Sequence, residues 1–280
     1  KKWKAPKDRH FIGAPFQYSD DAILCLMMVK MVYGLAYRQL TGLIFSLFQL
    51  MGVELPVPHF TTIAERAKGL KHSLRQLSSY RPSDLVFDSS GFKVFGEGEW
   101  KVRQHGKGKR RRWKKFHIGI CPKTQEVILA EATELEEMDC EMLPKMIRKA
   151  PKSVKTIIGD GGYDTFACYK ACHERGGVLI TPPRDGAVPK ENPNPWEEDR
   201  NRAIEEIIGL GNGESGKKLW KKLKGYHCRS LVETAFSRFK GIFGSKLFSK
   251  LIDNQSIELL IKTLVLNQMT RNGMPKGVMI

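Results

Sequence analysis

The chain has 280 residues, 41% hydrophobic and 28% charged, a composition that excludes a disordered polymer and allows one large domain or two modest ones. Lysine and arginine number 47 against 30 aspartate and glutamate, for a net charge of +17 and a pI near 9.6, so a polyanion is the expected partner, nucleic acid ahead of an anionic membrane. A membrane span is not expected, because the apolar run from Ala22 to Val32 is broken by Lys30 and falls short of the roughly 18 uncharged residues a crossing needs.

The start, Lys1-Lys2-Trp3-Lys4, carries no secretory pattern, and its lack of a methionine reads as a trimmed N-terminus. From Ser19 a helix is expected: Ser19 can cap it, Asp20 and Asp21 suit its positive first turn, and Ile23, Leu24, Met27, Met28 and Met31 recur at helical spacing. A second helix is expected over 37–51, closed by Gly52. Pro56 and Pro58 then force an extended turn, and Thr61 or Thr62 caps a third helix to about Leu70. Three short helices with a polar, basic third one fit a helix-turn-helix DNA reader and fit a plain helical bundle equally.

At Ser83 the texture changes. A strand over 84–91 runs from Asp84 through Asp88 to Gly91, Phe92 to Phe95 continues it, and further strands are expected over 113–121 and 127–132. The three form an antiparallel meander with turns at Gly106-Lys-Gly and Pro122-Lys-Thr. An acidic segment over 131–141 follows, then a helix over 139–150, a strand over 154–160, a helix to about Arg175 and a strand over 178–181. This order reads as an α/β fold with a sheet of mixed direction, in which functional groups collect where strands run out, as Asp88 and Asp160 do. Residues 184–224, rich in proline, glycine and charge, read as an insertion with one helix over 197–210. A helix from Tyr226 to Lys240 comes next, and a last apolar helix over 256–269 is expected against the outside of the core.

The six cysteines lack C-x2-C spacing and suit the free thiols of a cytoplasmic protein. Cys168, Cys172 and His173 could share a metal on one helix, but a half-buried helical face accounts for them better.

The stretch Tyr226-His-Cys-Arg-Ser-Leu-Val-Glu-Thr-Ala-Phe-Ser-Arg-Phe-Lys240 reads as a helix, with apolar Leu231, Val232, Ala235, Phe236 and Phe239 at helical spacing, and places Tyr226, Arg229, Glu233 and Lys240 on one stripe. Taken alone, Arg229 and Glu233 could be an ordinary i,i+4 ion pair. With Asp88 and Asp160 upstream they suggest more: carboxylates that converge repel one another unless a cation sits between them, and hard oxygen ligands suit Mg²⁺ or Mn²⁺, two of which serve phosphodiester chemistry. Asp164 is the rival of Asp160. It lies past the turn and reads as the N-cap of the next helix, so Asp160 is preferred. Lys107, Lys109, Arg110, Arg111, Arg112, Lys114 and Lys115 put seven cations into nine residues at a hairpin, a run suited to a DNA backbone, and Trp100 and Trp113 could stack on an unpaired base.

Tyr226-x2-Arg229-x3-Glu233-x6-Lys240 matches the signature of the insertion-sequence-four superfamily. The stretches Asp88-Ser-Ser-Gly-Phe-Lys-Val-Phe-Gly-Glu-Gly-Glu-Trp100 and Gly159-Asp-Gly-Gly-Tyr163 are similar to those of the insertion-sequence-five family. On these residues the chain, over about 15–270, resembles the DDE transposases of bacterial insertion sequences. The resemblance implies an RNase H-like mixed five-stranded sheet flanked by helices, with an N-terminal helical domain. It divides the chain into an arm (1–17), a helical domain expected to contact DNA (18–80), a catalytic domain (81–250) with its insertion, and a C-terminal helix and tail (251–280).

It further implies that Asp88, Asp160 and Glu233 hold two Mg²⁺ or Mn²⁺ ions, that water cuts the element's ends, and that the freed 3′-hydroxyl attacks target DNA. Tyr226, Arg229 and Lys240 would grip phosphates. The partners implied are double-stranded DNA, as terminal inverted repeats and target, and a second copy in a homodimer, in the nucleoid of a bacterial cytoplasm. A DNA-binding protein that keeps the fold without the chemistry is the alternative.

Overall fold

The computed structural model describes residues 3–5, 16–71, 74, 77–94, 113–211 and 213–273. Three helices open it, α1 (Asp20–Tyr33), α2 (Tyr37–Leu50) and α3 (Phe60–Ala67). Ser19 caps α1 by accepting from the Ala22 amide at 3.0 Å, and Gly34 closes it at φ 63°, a conformation glycine adopts without strain. The third helix differs from expectation at both ends. Its N-cap is His59, whose ring meets the Thr61 hydroxyl at 2.8 Å, and after Ala67 the chain tightens into a 3-10 turn, Lys68–Lys71. Among the described residues no single helix is long and apolar enough to cross a membrane; α1 and α2 pass that test only as a pair bent by 107°. Their apolar residues Ile23, Leu26, Leu40 and Ile44 are buried in a core shared with Ile63 of α3.

The sheet runs β3-β2-β1-β4-β5, from β1 (Asp84–Val94), β2 (Trp113–Ile120), β3 (Val127–Glu134), β4 (Thr156–Ile158) and β5 (Val178–Ile180). The first three are antiparallel neighbours and β4 and β5 join in parallel, the RNase H-like arrangement expected. A sixth strand, β6 (Lys246–Leu247), corrects the expected five; two residues are too few to show a period-2 pattern, and only pairing with Lys93 and Val94 makes them a strand.

Helix α4 (Asp139–Ile147) precedes β4, and α5 (Phe166–His173) lies between β4 and β5. Pro144, inside α4, has no amide for the Cys140 carbonyl, and that carbonyl instead faces the Cys168 thiol at 3.3 Å, tying α4 to α5. The insertion holds two helices rather than one, α6 (Glu198–Gly209) and α7 (Gly213–Leu223), packed through Ala203, Ile207 and Trp220. Glycines and lysines hid the second, whose buried side is little more than Gly216 and Trp220; a Cβ at Gly216 would stand 2.5 Å from the Ile207 carbonyl oxygen.

Tyr226–Arg229 forms a 3-10 turn, and the α-helix proper is α8 (Ser230–Phe243). Its buried residues Val232, Ala235, Phe236, Phe239 and Phe243 lie on one face of the sheet, where Phe239 meets Phe92 at 5.3 Å and Phe116 at 5.8 Å between ring centroids. Such aromatic pairs add about 0.5–1.5 kcal/mol each beyond burial, enough to set how α8 lies across β1.

The last helix, α9 (Ile252–Asn272), is longer than expected and central rather than peripheral. Leu259, Val265 and Leu266 belong to the sheet's core, while Ile257 and Ile261 belong to that of α1–α3. Buried Glu258 and Lys262 pair at 2.7 Å on α9, and Asn267 holds the Val127 amide at 2.8 Å. These polar residues masked how deeply the helix is sunk.

Candidate active site

β1 pairs with β4 only as far as Val86 and with β6 only from Lys93. Between them one edge of the strand is open, and Asp88 lies in that gap, on the face that carries Val86 and Phe92 towards α8. Beyond the end of β4, Gly159 leads to Asp160, whose carboxylate accepts from the Gly162 amide at 2.9 Å and caps a 3-10 turn, Gly161–Tyr163. The Tyr163 ring packs on Gly159 so closely that a Cβ there would stand 2.5 Å from it, so this turn needs glycine.

The guanidinium of Arg229 joins the three sequence-predicted acids. Its Nη2 is 3.3 Å from Asp88 Oδ2 and 3.8 Å from Asp160 Oδ2, and its Nη1 meets Glu233 Oε1, one turn along on α8. Burial raises the Asp88 pKa; the Ser89 amide, donating at 2.8 Å, and Arg229 oppose the rise, and Asp160 and Asp139 add to it. Burial works against the charge of Arg229, but Asp88, Glu233, Tyr226 and Asp160 outweigh it and its pKa is raised.

The other predicted phosphate-gripping residues are engaged within the chain. Tyr226 Oη donates to the Gly159 carbonyl at 3.1 Å, bracing the Asp160 turn, and burial pushes its pKa up to about 12. Lys240 Nζ donates to Ser90 Oγ at 2.6 Å, two residues beyond Asp88. Lys114 is buried and paired with Glu134, and Lys115 reaches Asp139 at 3.0 Å, so neither is a free cation. Trp113 lies under Lys93, 5.5 Å from its ring centroid. Lys107, Lys109, Arg110, Arg111 and Arg112, with Trp100, lie outside the described residues.

A family model described as "Transposase DDE domain" matches residues 79–268, more than half the chain and all three acids, and a second with the same description matches residues 1–97. The chain belongs to the DDE transposase family. A solved structure, the Drosophila P element transposase strand transfer complex, is similar over 93% of this chain and 80% of that one, at 11% identity and a TM-score of 0.29, a likeness too slight to bear on the fold or the site.

DDE transposases generally work with divalent metal ions. In this transposase no three His, Cys, Asp or Glu side chains among the described residues already stand as one ion's ligands; a guanidinium holds the centre. The donors themselves fit such an ion. They are three hard carboxylates on separate elements, one of them half-buried with its pKa raised, so added positive charge relieves the mutual repulsion.

Residues that sequence reasoning passed over stand behind the site. On the opposite face of β1, Ser89 is the cross-strand neighbour of His117, which is buried, bonded to the Thr133 hydroxyl at 2.9 Å and 3.1 Å from Asp139 Oδ1. Burial opposes the ionisation of Asp139, but contacts with His117, Ser89 and Lys115 hold its pKa down to about 2. The one signal was a histidine inside an apolar strand. Asp164, expected to cap α5, does not; Thr165 is the N-cap, and the fully buried Asp164 carboxylate takes Arg200 of α6 at 2.9 Å and the Arg184 amide at 2.9 Å.

Proposed function

We propose that this transposase cuts DNA at the ends of a mobile element and joins the freed 3′-hydroxyl to target DNA, with Asp88, Asp160 and Glu233 as its divalent-metal ligands. The observation that carries this reading is that a strand, a turn and a helix bring these three acids to one guanidinium. Mg²⁺ or Mn²⁺, two ions in the full site, would supply Lewis-acid charge to the displacement at phosphorus. Asp88 lies in the gap of the sheet, Asp160 is fixed by the Gly162 amide, and Glu233 opens to solvent on α8, so a DNA strand laid across α8 would meet all three. Arg229 and Lys240 lie beside that path, and Tyr226 holds the Asp160 turn in place.

The basic run from Lys107 to Arg112 is proposed to track the DNA backbone, without Lys114 and Lys115, which are paired within the chain, and α1–α3 to contact the element's terminal repeat. The active form would be a homodimer on double-stranded DNA, in a bacterial nucleoid. The test is to incubate the full-length protein with duplexes carrying the element's own ends plus Mg²⁺ and map the broken and joined strands. Nicks that expose a 3′-hydroxyl at the element's end, followed by joined products, are expected. Tight binding without cleavage would favour the second reading, a DNA-binding protein in which Arg229 never leaves the acids.

A further inference from the structure

Asp88, Asp160 and Glu233 carry three negative charges, and among the described residues Arg229 is the one cation in ion-pair contact with any of them. Lys240, on the same helix as Glu233, is bound to Ser90 instead. An ion held by these carboxylates at the roughly 2.0–2.1 Å typical of Mg²⁺ would take up the same oxygens that Nη2 now faces at 3.3 and 3.8 Å. Two positive groups that close, sharing ligands, exclude each other. Arg229 also has a way out, because its side chain is 23% exposed and its partner Glu233 is 56% exposed on the solvent side of α8.

We infer that Arg229 is a displaceable occupant of the metal site, which divalent ions must evict and which a DNA phosphate draws off, so that metal and DNA bind cooperatively. The inference rests on the reading of Asp88, Asp160 and Glu233 as metal ligands. A guanidinium leaving carboxylates needs another anion, and the planar fork that fits a carboxylate fits a phosphate equally well. Without DNA the acids close on Arg229 and the site resists loading; with DNA, Arg229 turns to the backbone. The coupling is reciprocal by thermodynamic necessity, so metal must tighten DNA binding by the same factor.

The experiment measures Mn²⁺ binding to the full-length protein, by the paramagnetic resonance signal of free Mn²⁺, with and without a short duplex. For the wild type the duplex should strengthen Mn²⁺ binding about 5- to 100-fold, the usual range of coupling between two sites. Arg229→Gln should bind Mn²⁺ more tightly than wild type when DNA is absent, and should gain less from the duplex. Equal or weaker Mn²⁺ binding by Arg229→Gln without DNA overturns the inference. Asp88→Asn in the same assay separates the two levels of the argument. If it loses Mn²⁺ while Arg229→Gln matches wild type, only the displacement idea falls; if it binds as well as wild type, the carboxylate assignment fails first. Should Arg229→Gln not fold, Arg229→Lys, whose single ammonium cannot span three carboxylates, carries the same comparison with the same two outcomes.

Discussion

Asp160 and Asp164 sit in one short turn, Gly-Asp-Gly-Gly-Tyr-Asp, yet the structure gives them opposite fates. Asp164 is closed in: its side chain is 0% exposed, and both carboxylate oxygens are taken by Arg200 and the Arg184 amide. Asp160 is 45% exposed and shares a single guanidinium with two other acids. A satisfied carboxylate clamps the insertion helix α6 to the sheet. An under-neutralised one has free lone pairs and a standing attraction for cations, which a reactive site needs. In an acid-rich turn, unmet charge separates the candidate carboxylate from the structural one better than sequence position does.

The largest effect expected from this contrast is on catalysis. Asp160→Asn, like Asp88→Asn and Glu233→Gln, should cut strand cleavage by more than the roughly 100-fold that losing an outer partner of a metal ligand costs. For Asp160→Asn and Glu233→Gln the thermal midpoint of the metal-free protein should change little, and undiminished cleavage by any of the three removes that residue from the site. Next in size, Asp164→Ala should lose about 3–5 kcal/mol in urea denaturation, because it leaves the mostly buried Arg200 guanidinium without its carboxylate. Adding Arg200→Met should recover part of that loss; losses that simply add would mean the two side chains act independently. Tyr226→Phe should cost only about 1 kcal/mol of stability, the usual net worth of one hydrogen bond, while slowing cleavage through a looser Asp160 turn. Unchanged cleavage would leave Tyr226 with no part in positioning Asp160.

The smallest effect concerns pH. Asp139 has a folded pKa lowered to about 2, so its stabilising contribution is present above its unfolded value of about 3.9 and fades as pH falls towards the folded one. Asp139→Asn should therefore flatten the acid limb of stability in that window, and coincident curves would show that its contacts with His117 and Lys115 contribute nothing. Asp88 has the opposite sign. Its raised pKa makes its charge a burden at neutral pH, one that Asp88→Asn relieves.

Much of the catalytic half was legible from local pattern. Strand β1 shows itself by its apolar run, the 154–160 strand by Val154, Ile157 and Ile158, and α8 by the spacing of Val232, Ala235, Phe236 and Phe239. Elements without such a pattern escaped: β6 is two residues long, α7 buries little besides Gly216 and Trp220, and α9 hides its depth behind Glu258, Lys262 and Asn267. The residues behind the site, His117 and Asp139, are joined only by the β1–β2 register and by where α4 begins, and neither is visible in a window of neighbours.

By itself the sequence determined the charge, the helix and strand periods, and the candidate acids with their resemblance to a known family, because each of these is a property of residues near one another along the chain. Only the tertiary structure decided which acids meet, that Arg229 lies among them, that Lys240 and Tyr226 are bonded internally, and that Asp164 is an anchor. Those outcomes depend on distances between elements far apart in the polymer: packing of the phenylalanine core carries Arg229 to Asp88, and the insertion brings Arg200 to Asp164.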